Sequence, residues 1–322
     1  MCCGAPAAHE PLMGNHQELK QKLQGHLVPC HTHQHLITKY EMPQHNMNEE
    51  KSFTFSIASL NTLGIPLLSP YPVERYIALC QVFERLRVDI INLQEVHTYN
   101  LFHLLKKNLP SYPYVAYERA LPGPKGGLVI LSRHPLEKIQ FTSFTYPRQI
   151  KHALLYASSF IHKKGTLIAK IQGKSLLIYN THLIPNREGN WTRENKLYQT
   201  HEKQLDELSN LIAQPAHKGN YVVVSGDFNI PKNSDLYTHF LDISHAKDIF
   251  AADEAPTFHT EFLRSGKQAH RIDYIFLYPK DASISIHSSS LLFQNKVLLR
   301  NGKTAYLSDH LGLLAELEIF PM

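Results

Sequence analysis

The segment Tyr221-Val-Val-Val-Ser-Gly-Asp-Phe-Asn229 sets a Tyr and three Val directly against Gly226, Asp227 and Asn229. An apolar run with no polar alternation predicts a strand over 221–225 that is buried on both faces. Its polar end predicts a carboxylate and an amide at the rim of a sheet. The same pattern recurs in both directions along the chain. Leu60-Asn61 closes an alternating strand over 53–60, and Leu93-Gln94-Glu95 closes a short apolar strand over 88–93. Tyr179-Asn180-Thr181-His182 ends a β-rich stretch from about Leu154. Arg271-Ile272-Asp273 opens a strand over 272–277, and Ser308-Asp309-His310 precedes one over 313–320. Any one of these ends is ordinary turn chemistry. If the edges share a rim, they gather Asn61, Glu95, His182, Asp227, Asn229, Asp273, Asp309 and His310. Carboxylates brought that close need a cation to neutralise them.

Helical spacing of apolar residues predicts helices over 73–87, 99–109 and 191–212, and further strands fit 114–117, 127–132 and 283–287. Mixed strands and helices without an internal linker predict one α/β layered domain over 52–322, two sheets flanked by helices. Residues 1–51 read as a polar, His-rich tail, with a short helix over 17–23. Alternating His31, His33 and His35 would suit a metal ion on an extended segment, but a plain polar tail is the favoured reading.

A hydrophobic fraction of 43% with 19% charged residues excludes a wholly disordered chain. A net charge of +5 permits an anionic substrate without requiring nucleic acid. Four Cys form no disulfide framework and favour a reducing compartment. No stretch approaches the ~20 apolar residues of a membrane span. Met1–Leu23 lacks the basic start and apolar core of a signal peptide, and Cys2-Cys3 is weak grounds for acylation. The predicted location is the cytoplasm, or export without a recognisable signal peptide, with peripheral membrane contact.

Taken in order, Ser59-Leu-Asn61, Leu93-Gln-Glu95-Val96, Asn180-Thr-His182-Leu183, Gly226-Asp227-Phe-Asn229, Arg271-Ile-Asp273-Tyr274 and Ser308-Asp309-His310 resemble the endonuclease/exonuclease/phosphatase superfamily. The resemblance runs from Phe53 to Phe320. It implies a four-layer αββα sandwich and Mg²⁺-dependent cleavage of phosphoester bonds. Within the superfamily, Ser59-Leu-Asn-Thr-Leu-Gly-Ile-Pro-Leu-Leu-Ser69, Gly126-Gly-Leu-Val-Ile-Leu-Ser-Arg-His-Pro135 and Arg271-Ile-Asp-Tyr-Ile-Phe276 are most similar to neutral sphingomyelinases and related phospholipases C.

Phosphodiester cleavage needs charge neutralisation, an activated water and a stabilised leaving group. Mg²⁺ takes hard oxygen ligands, which suits Glu95 as principal ligand with Asn61 beside it, as the resemblance also implies. Mn²⁺ is a possible substitute. His310 is the candidate general base because imidazole titrates near neutrality, and the resemblance places Asp273 behind it. Asp309 adjoins the base and is assigned to the metal. Asp227 and Asn229 lie two apart on a segment read as extended, so both would point one way; Asp227 would orient the water and Asn229 hold a phosphate oxygen. His182 would donate to a phosphoryl oxygen. Lys125, in the Gly/Pro-rich stretch 119–127, could present a cation to phosphate. Ile65, Leu67 and Leu68 beside the Asn61 strand end could dip into a lipid surface. The predicted partner is a phospholipid at a membrane surface. Nucleic acid is disfavoured because the basic residues are scattered, with only short pairs such as Lys106-Lys107 and Lys163-Lys164.

Overall fold

The computed structural model describes residues 52–65, 69–146, 163–216, 219–279 and 284–320. The tail, its short helix, the His31/His33/His35 trio and Cys2-Cys3 therefore lie outside the described residues, as do Leu67, Leu68 and residues 154–162 of the expected β-rich stretch. In chain order the elements are β1 (Phe53–Asn61), α1 (Pro72–Leu86), β2 (Ile90–Gln94), α2 (Tyr99–Asn108), β3 (Tyr114–Ala116), β4 (Val129–Ser132) and β5 (Leu136–Ser143). There follow β6 (Gly165–Ile171), β7 (Leu176–His182), α3 (Lys196–Ala216), β8 (Tyr221–Asp227), α4 (Asp235–Ser244) and β9 (Lys247–Asp248). The chain continues through β10 (Asp273–Tyr278), β11 (Ile284–Leu292), β12 (Val297–Leu298), β13 (Thr304–Ala305) and β14 (Gly312–Ile319).

Two six-stranded mixed sheets form, ordered β11-β14-β1-β2-β4-β3 and β5-β6-β7-β8-β10-β9. Alternation along the strands explains the layers. Ile57 of β1 and Val223 of β8 face a core between the sheets. Ala58 and Leu60 turn the other way, against Leu79, Phe83, Phe102 and Leu105 of α1 and α2. Val222 and Val224 turn outward against Leu205, Leu208, Leu236 and Phe240 of α3 and α4. Burial on both faces is why β8 reads as an unbroken apolar run. The result is the expected four-layer αββα sandwich.

The inward faces change character along the strands. On β1 the inward series runs Phe55, Ile57, Ser59, Asn61; on β7 it runs Leu176, Ile178, Asn180, His182; on β8, Tyr221, Val223, Ser225, Asp227. β1 is parallel to β2 and β7 to β8, while β10 runs back against β8 with Asp273 opposite Asp227. The polar ends of β1, β2, β7 and β8 therefore meet the beginning of β10 at one end of the sandwich. There the sheets are joined by hydrogen bonds. Asn180 Nδ2 donates to the carbonyls of Leu93 and Val129, both at 2.9 Å, and Gln94 Nε2 donates to Asn180 Oδ1 at 2.8 Å. Asn92 Nδ2 donates to Ser225 Oγ at 2.8 Å.

Several elements depart from the sequence expectation, the two-residue strands β9, β12 and β13 among them. The long helix begins at Lys196 rather than Trp191, because Asn195 Oδ1 accepts the Leu197 amide at 2.8 Å and so starts it. β5 is an unforeseen edge strand whose half-exposed, Lys-bearing sequence shows little apolar alternation. α4, also unforeseen, starts at Ser234, whose side chain accepts the Tyr237 amide.

Replacing Asn180 by Ala strips two carbonyls and the Gln94 amide of their shared partner. We expect a loss of about 3 kcal/mol, seen as a lower urea midpoint at unchanged slope. A loss under about 1 kcal/mol would mean the tie contributes only an ordinary hydrogen bond.

Candidate active site

A cleft of about 440 Å³ opens at the polar end, and its walls include Asn61, Glu95, His182, Asp227, Asn229, Asp309 and His310. Seven of the sequence-predicted residues thus share one cavity, and Asp273 stands behind His310. Lys125 does not join them. Its Nζ lies 4.8 Å from the Phe141 ring centre, and it lines a separate cleft.

The elements explain the convergence. Asn61 ends β1, and Glu95 follows β2 with a left-handed backbone, φ 61°. Gly64 is required opposite it, since a Cβ there would lie 2.1 Å from the Glu95 carbonyl oxygen. Gly226 is required where β8 meets β7, because its Cβ would lie 1.9 Å from the Thr181 carbonyl oxygen. That close pairing sets His182 opposite Asp227. Asn229 is not on an extended segment. Asp227 Oδ1 accepts the Asn229 amide at 2.9 Å, the backbone turns to φ 55°, and Asn229 Nδ2 donates to the Leu183 carbonyl at 3.1 Å. The turn, rather than strand alternation, brings both side chains to the cleft.

A hydrogen-bonded chain runs through the site. His310 Nδ1 lies 2.9 Å from Asp273 Oδ2, which also accepts from Thr257 Oγ1 at 2.6 Å. His310 Nε2 faces Asp227 Oδ2 at 3.8 Å. Asp227 Oδ2 accepts from Asn61 Nδ2 at 3.0 Å and lies 3.2 Å from His182 Nε2. Lys164 Nζ sits beside the His182 ring, 2.9 Å from Nδ1 and 2.7 Å from Nε2. A neutral His182 that donates from Nε2 to Asp227 and accepts at Nδ1 from Lys164 satisfies both neighbours.

Burial pulls His182 down to about 4, Lys164 pushes it the same way, and so the ring is neutral at pH 7. Burial also draws His310 down, but Asp273, Asp227 and Asp309 outweigh it and hold this imidazole well above its ordinary value. Burial lifts Asp273 to about 6 against the opposing pull of His310. Burial would raise Asp227 too, yet His310, His182 and Lys164 together hold it well below the usual carboxylate range. Burial lowers Lys164 to about 8, against the attraction of Glu95 and Asp227.

Asp227, Asp273 and His310 carry ligand-type atoms within 4.8 Å of one another. Their hydrogen bonds make them an imidazole held by carboxylates, the geometry of a positioned base rather than of a metal cage. The donors that fit a hard cation stand beside them. Among the described residues no side chain donates a hydrogen bond to the Glu95 carboxylate. Burial raises Glu95 to about 7, Asp309 and Asp227 add to this, and Lys164 and His310 oppose it. A carboxylate so placed, with Asn61 and Asp309 on the same cleft, suits an oxygen-seeking divalent cation.

Sequence reasoning missed three contributors. Lys164 directly precedes Gly165, which pairs with His182 across β6 and β7, so a Lys at a strand entry opposite a rim His was the available signal. Thr257, in a long loop, gave none. Trp191 leaves the expected helix to wall the cleft, its Nε1 donating to the Asn229 carbonyl at 2.9 Å. Arg271 of the Arg-Ile-Asp motif is structural: it pairs with Asp248 at 2.6 Å and stacks over Tyr274.

The profile of the Endonuclease/Exonuclease/phosphatase family matches residues 58–310, and the chain belongs to that family. It is 29% identical over 190 residues to human sphingomyelin phosphodiesterase 2, a match covering 57% of this chain and 43% of that protein. It is 27% identical over 282 residues to a putative neutral sphingomyelinase of Drosophila melanogaster, covering 83% and 61%. The chain therefore spans about half the length of these relatives. Among solved structures, sphingomyelinase C from Streptomyces griseocarneus superposes with a TM-score of 0.62 at 15% identity, covering 82% of this chain and 99% of that one. A humanized D. rerio TDP2 gives 0.59 at 20%, covering 82% and 98%. Both structural likenesses concern the fold.

In the metal-free protein, the His310 imidazole titrates above the free value of about 6.5. Its contribution to stability is present below that value and is lost as pH rises through the raised folded one. Asp273→Asn removes a raising carboxylate, so the titration moves downward. Ring-proton NMR in EDTA reads this directly, and an unmoved titration would refute the Asp273–His310 coupling.

Proposed function

We propose that this chain is a metal-dependent phosphodiester hydrolase that cleaves sphingomyelin, or a related choline phospholipid, to phosphocholine and a lipid alcohol. In the sphingomyelin case the alcohol is ceramide. The reading takes residues 52–322 as one catalytic domain, working on phospholipid at a membrane surface; no described helix is long and apolar enough to cross a membrane. The observation that carries it is the His310–Asp273 pair beside Asp227, His182 and Glu95 in one cleft.

The residues take complementary roles. Asp273, fixed by Thr257, orients His310 so that Nε2 points toward Asp227 and can accept the proton of an attacking water. Asp227 orients that water. The oxygen attacks phosphorus in line with the leaving alcohol oxygen, and the P–O bond to the lipid breaks. The free Nδ2–H of Asn229, and the Nε2–H of neutral His182 once it turns from Asp227 to the bound substrate, address phosphoryl oxygens. Lys164, mostly protonated at neutral pH, adds positive charge at the same place. Glu95, Asn61 and Asp309 would hold Mg²⁺, with Mn²⁺ as substitute. When bound, such a cation supplies Lewis acidity toward the phosphoryl group and offsets the carboxylate field that keeps His310 protonated.

Two features of the cleft bear on substrate. Trp191, Phe258 and Phe262 line it, and aromatic rings are the side chains that attract a choline cation. Arg187, Arg264 and Lys267 line the same cleft and favour an anionic substrate. That observation supports a second reading, a nuclease or phosphoinositide phosphatase on the same scaffold, and the fold likeness to TDP2 accords with it.

The deciding measurement is phosphocholine release from sphingomyelin vesicles with Mg²⁺. Release should vanish in EDTA, return with Mg²⁺, and fall about 10³-fold in His310→Ala. Glu95→Gln should demand more Mg²⁺ for half-maximal rate. No release by folded, Mg²⁺-loaded protein would reject the sphingomyelinase reading; turnover of a phosphoinositide or an oligonucleotide instead would establish the second.

A further inference from the structure

A second cleft, of about 360 Å³, adjoins the candidate active site, with walls that include His97, Arg119, Leu121, Pro122, Lys125 and Lys163. The same two chain segments serve both places. Glu95 lines the first cleft and His97, two residues on, lines the second. Lys164 reaches His182, while Lys163 turns to the second cleft. The two clefts therefore lie at the same end of the sandwich.

The chemistry of the second cleft is one-sided. Arg119, Lys125 and Lys163 bring three cations, and among the described residues no carboxylate lines the cavity. Among the described residues none of the three cations is in an ion pair. Lys125 is steadied over Phe141. The loop carrying Arg119 and Leu121 is tied down at several points. Lys125 N donates to the Glu118 carbonyl at 2.8 Å, Gly127 N to the Pro124 carbonyl at 2.9 Å, and Tyr99 N to the Pro122 carbonyl at 3.2 Å. This fastened loop nonetheless holds Leu121 out with 88% of its surface exposed. Three cations around a cavity, none of them ion-paired among the described residues, call for an anion. A large aliphatic side chain presented on their rim calls for an apolar phase next to that anion. Among the described residues no Phe, Tyr or Trp lines the cavity, which leaves a nucleic acid only the His97 imidazole to stack on.

We propose that this cleft binds the phosphate of an anionic phospholipid that is not the substrate, with Leu121 entering the bilayer beside it. Docked in this way, the chain meets the membrane with the candidate active-site end toward the lipid. The inference rests on the phospholipid reading above and adds a second lipid site to it.

The test is co-sedimentation of the full chain with vesicles of phosphatidylcholine alone and of phosphatidylcholine doped with phosphatidylglycerol, without turnover. Binding should favour the doped vesicles and weaken with added salt. The double variant Arg119→Gln/Lys163→Gln should lower that partition about 30-fold, equivalent to ~1 kcal/mol for each cation near an anionic surface. Leu121→Ser should lower it about tenfold, by loss of apolar burial. Both variants alter exposed side chains outside the active-site cleft, so melting and hydrolysis of soluble bis(4-nitrophenyl) phosphate should match the parent. Equal binding to both vesicle types, or undiminished binding by either variant, overturns the proposal. Release by inorganic phosphate at constant ionic strength would show a small-anion site, and release by a single-stranded oligonucleotide a nucleic-acid site; either also overturns it. A failure here leaves the hydrolase reading standing, because partition is read without chemistry, and absent phosphocholine release leaves the partition result interpretable.

Discussion

The side chain of Asn180 is the contact on which the site most depends. Its amide spans the gap between the two sheets, donating to Leu93 and Val129 while accepting from Gln94. An apolar interior cannot choose the relative shift of two sheets with much precision, because dispersion contacts are individually weak and non-directional. Hydrogen bonds between buried amides can, since a misplaced partner leaves a polar group unsatisfied. These bonds sit one residue beyond Tyr179 and two before His182 on the same strand. The interaction that registers the sheets is thus close to the atoms whose spacing matters for chemistry.

Charge is arranged there with the same economy of parts. Two histidines share Asp227 Oδ2 yet carry different charge. His182 meets a buried Lys as well as an Asp and stays neutral, whereas His310 faces three carboxylates and is held protonated. Distances alone would not separate them; their other neighbours do. Lys164 and Asp227 therefore matter beyond their own contacts, because each helps set the protonation of a neighbouring ring.

Much of this was legible in the sequence because the site grows from strands. A strand buried on both faces shows as an apolar run, and the point where its inward face turns polar shows as a break in that run. Asn61, Glu95, His182 and Asp227 were all visible in that way. Asn229 was placed in the right cleft for the wrong reason: the turn at Asp227, not an extended strand, aims it. Lys164 was hidden because the residues before it gave no strand boundary, and a Lys beside a Lys reads as solvated surface. Thr257 was invisible, since its partner Asp273 is met only through tertiary folding. Trp191 was assigned to a helix by its apolar spacing, and the cap at Asn195 excludes it. Lys125 was drawn toward the phosphate by loop composition, which carries no information on which side of β2 the loop falls.

The two halves of the site still need to be held to each other, and one side chain in α1 does much of this. Arg75 is fully buried and, among the described residues, pairs with no carboxylate. Its guanidinium donates to the carbonyls of Thr62, Leu63, Pro70 and Leu307 at 2.7–3.1 Å. Thr62 and Leu63 follow Asn61, and Leu307 precedes Ser308, whose hydroxyl in turn donates to the Asn61 carbonyl at 2.5 Å. Residues nearly the whole chain apart are thereby clamped into one loop pair that carries Asn61, Asp309 and His310. A planar fork with five donors can satisfy four carbonyls in fixed directions, and a lysine ammonium cannot. Burial lowers the pKa of this guanidinium, with Asp309 and Glu95 acting against it, so the clamp also contributes to the field at the cleft. The geometry of the candidate base is therefore set as much by an arginine on a distant helix as by the strand that follows His310.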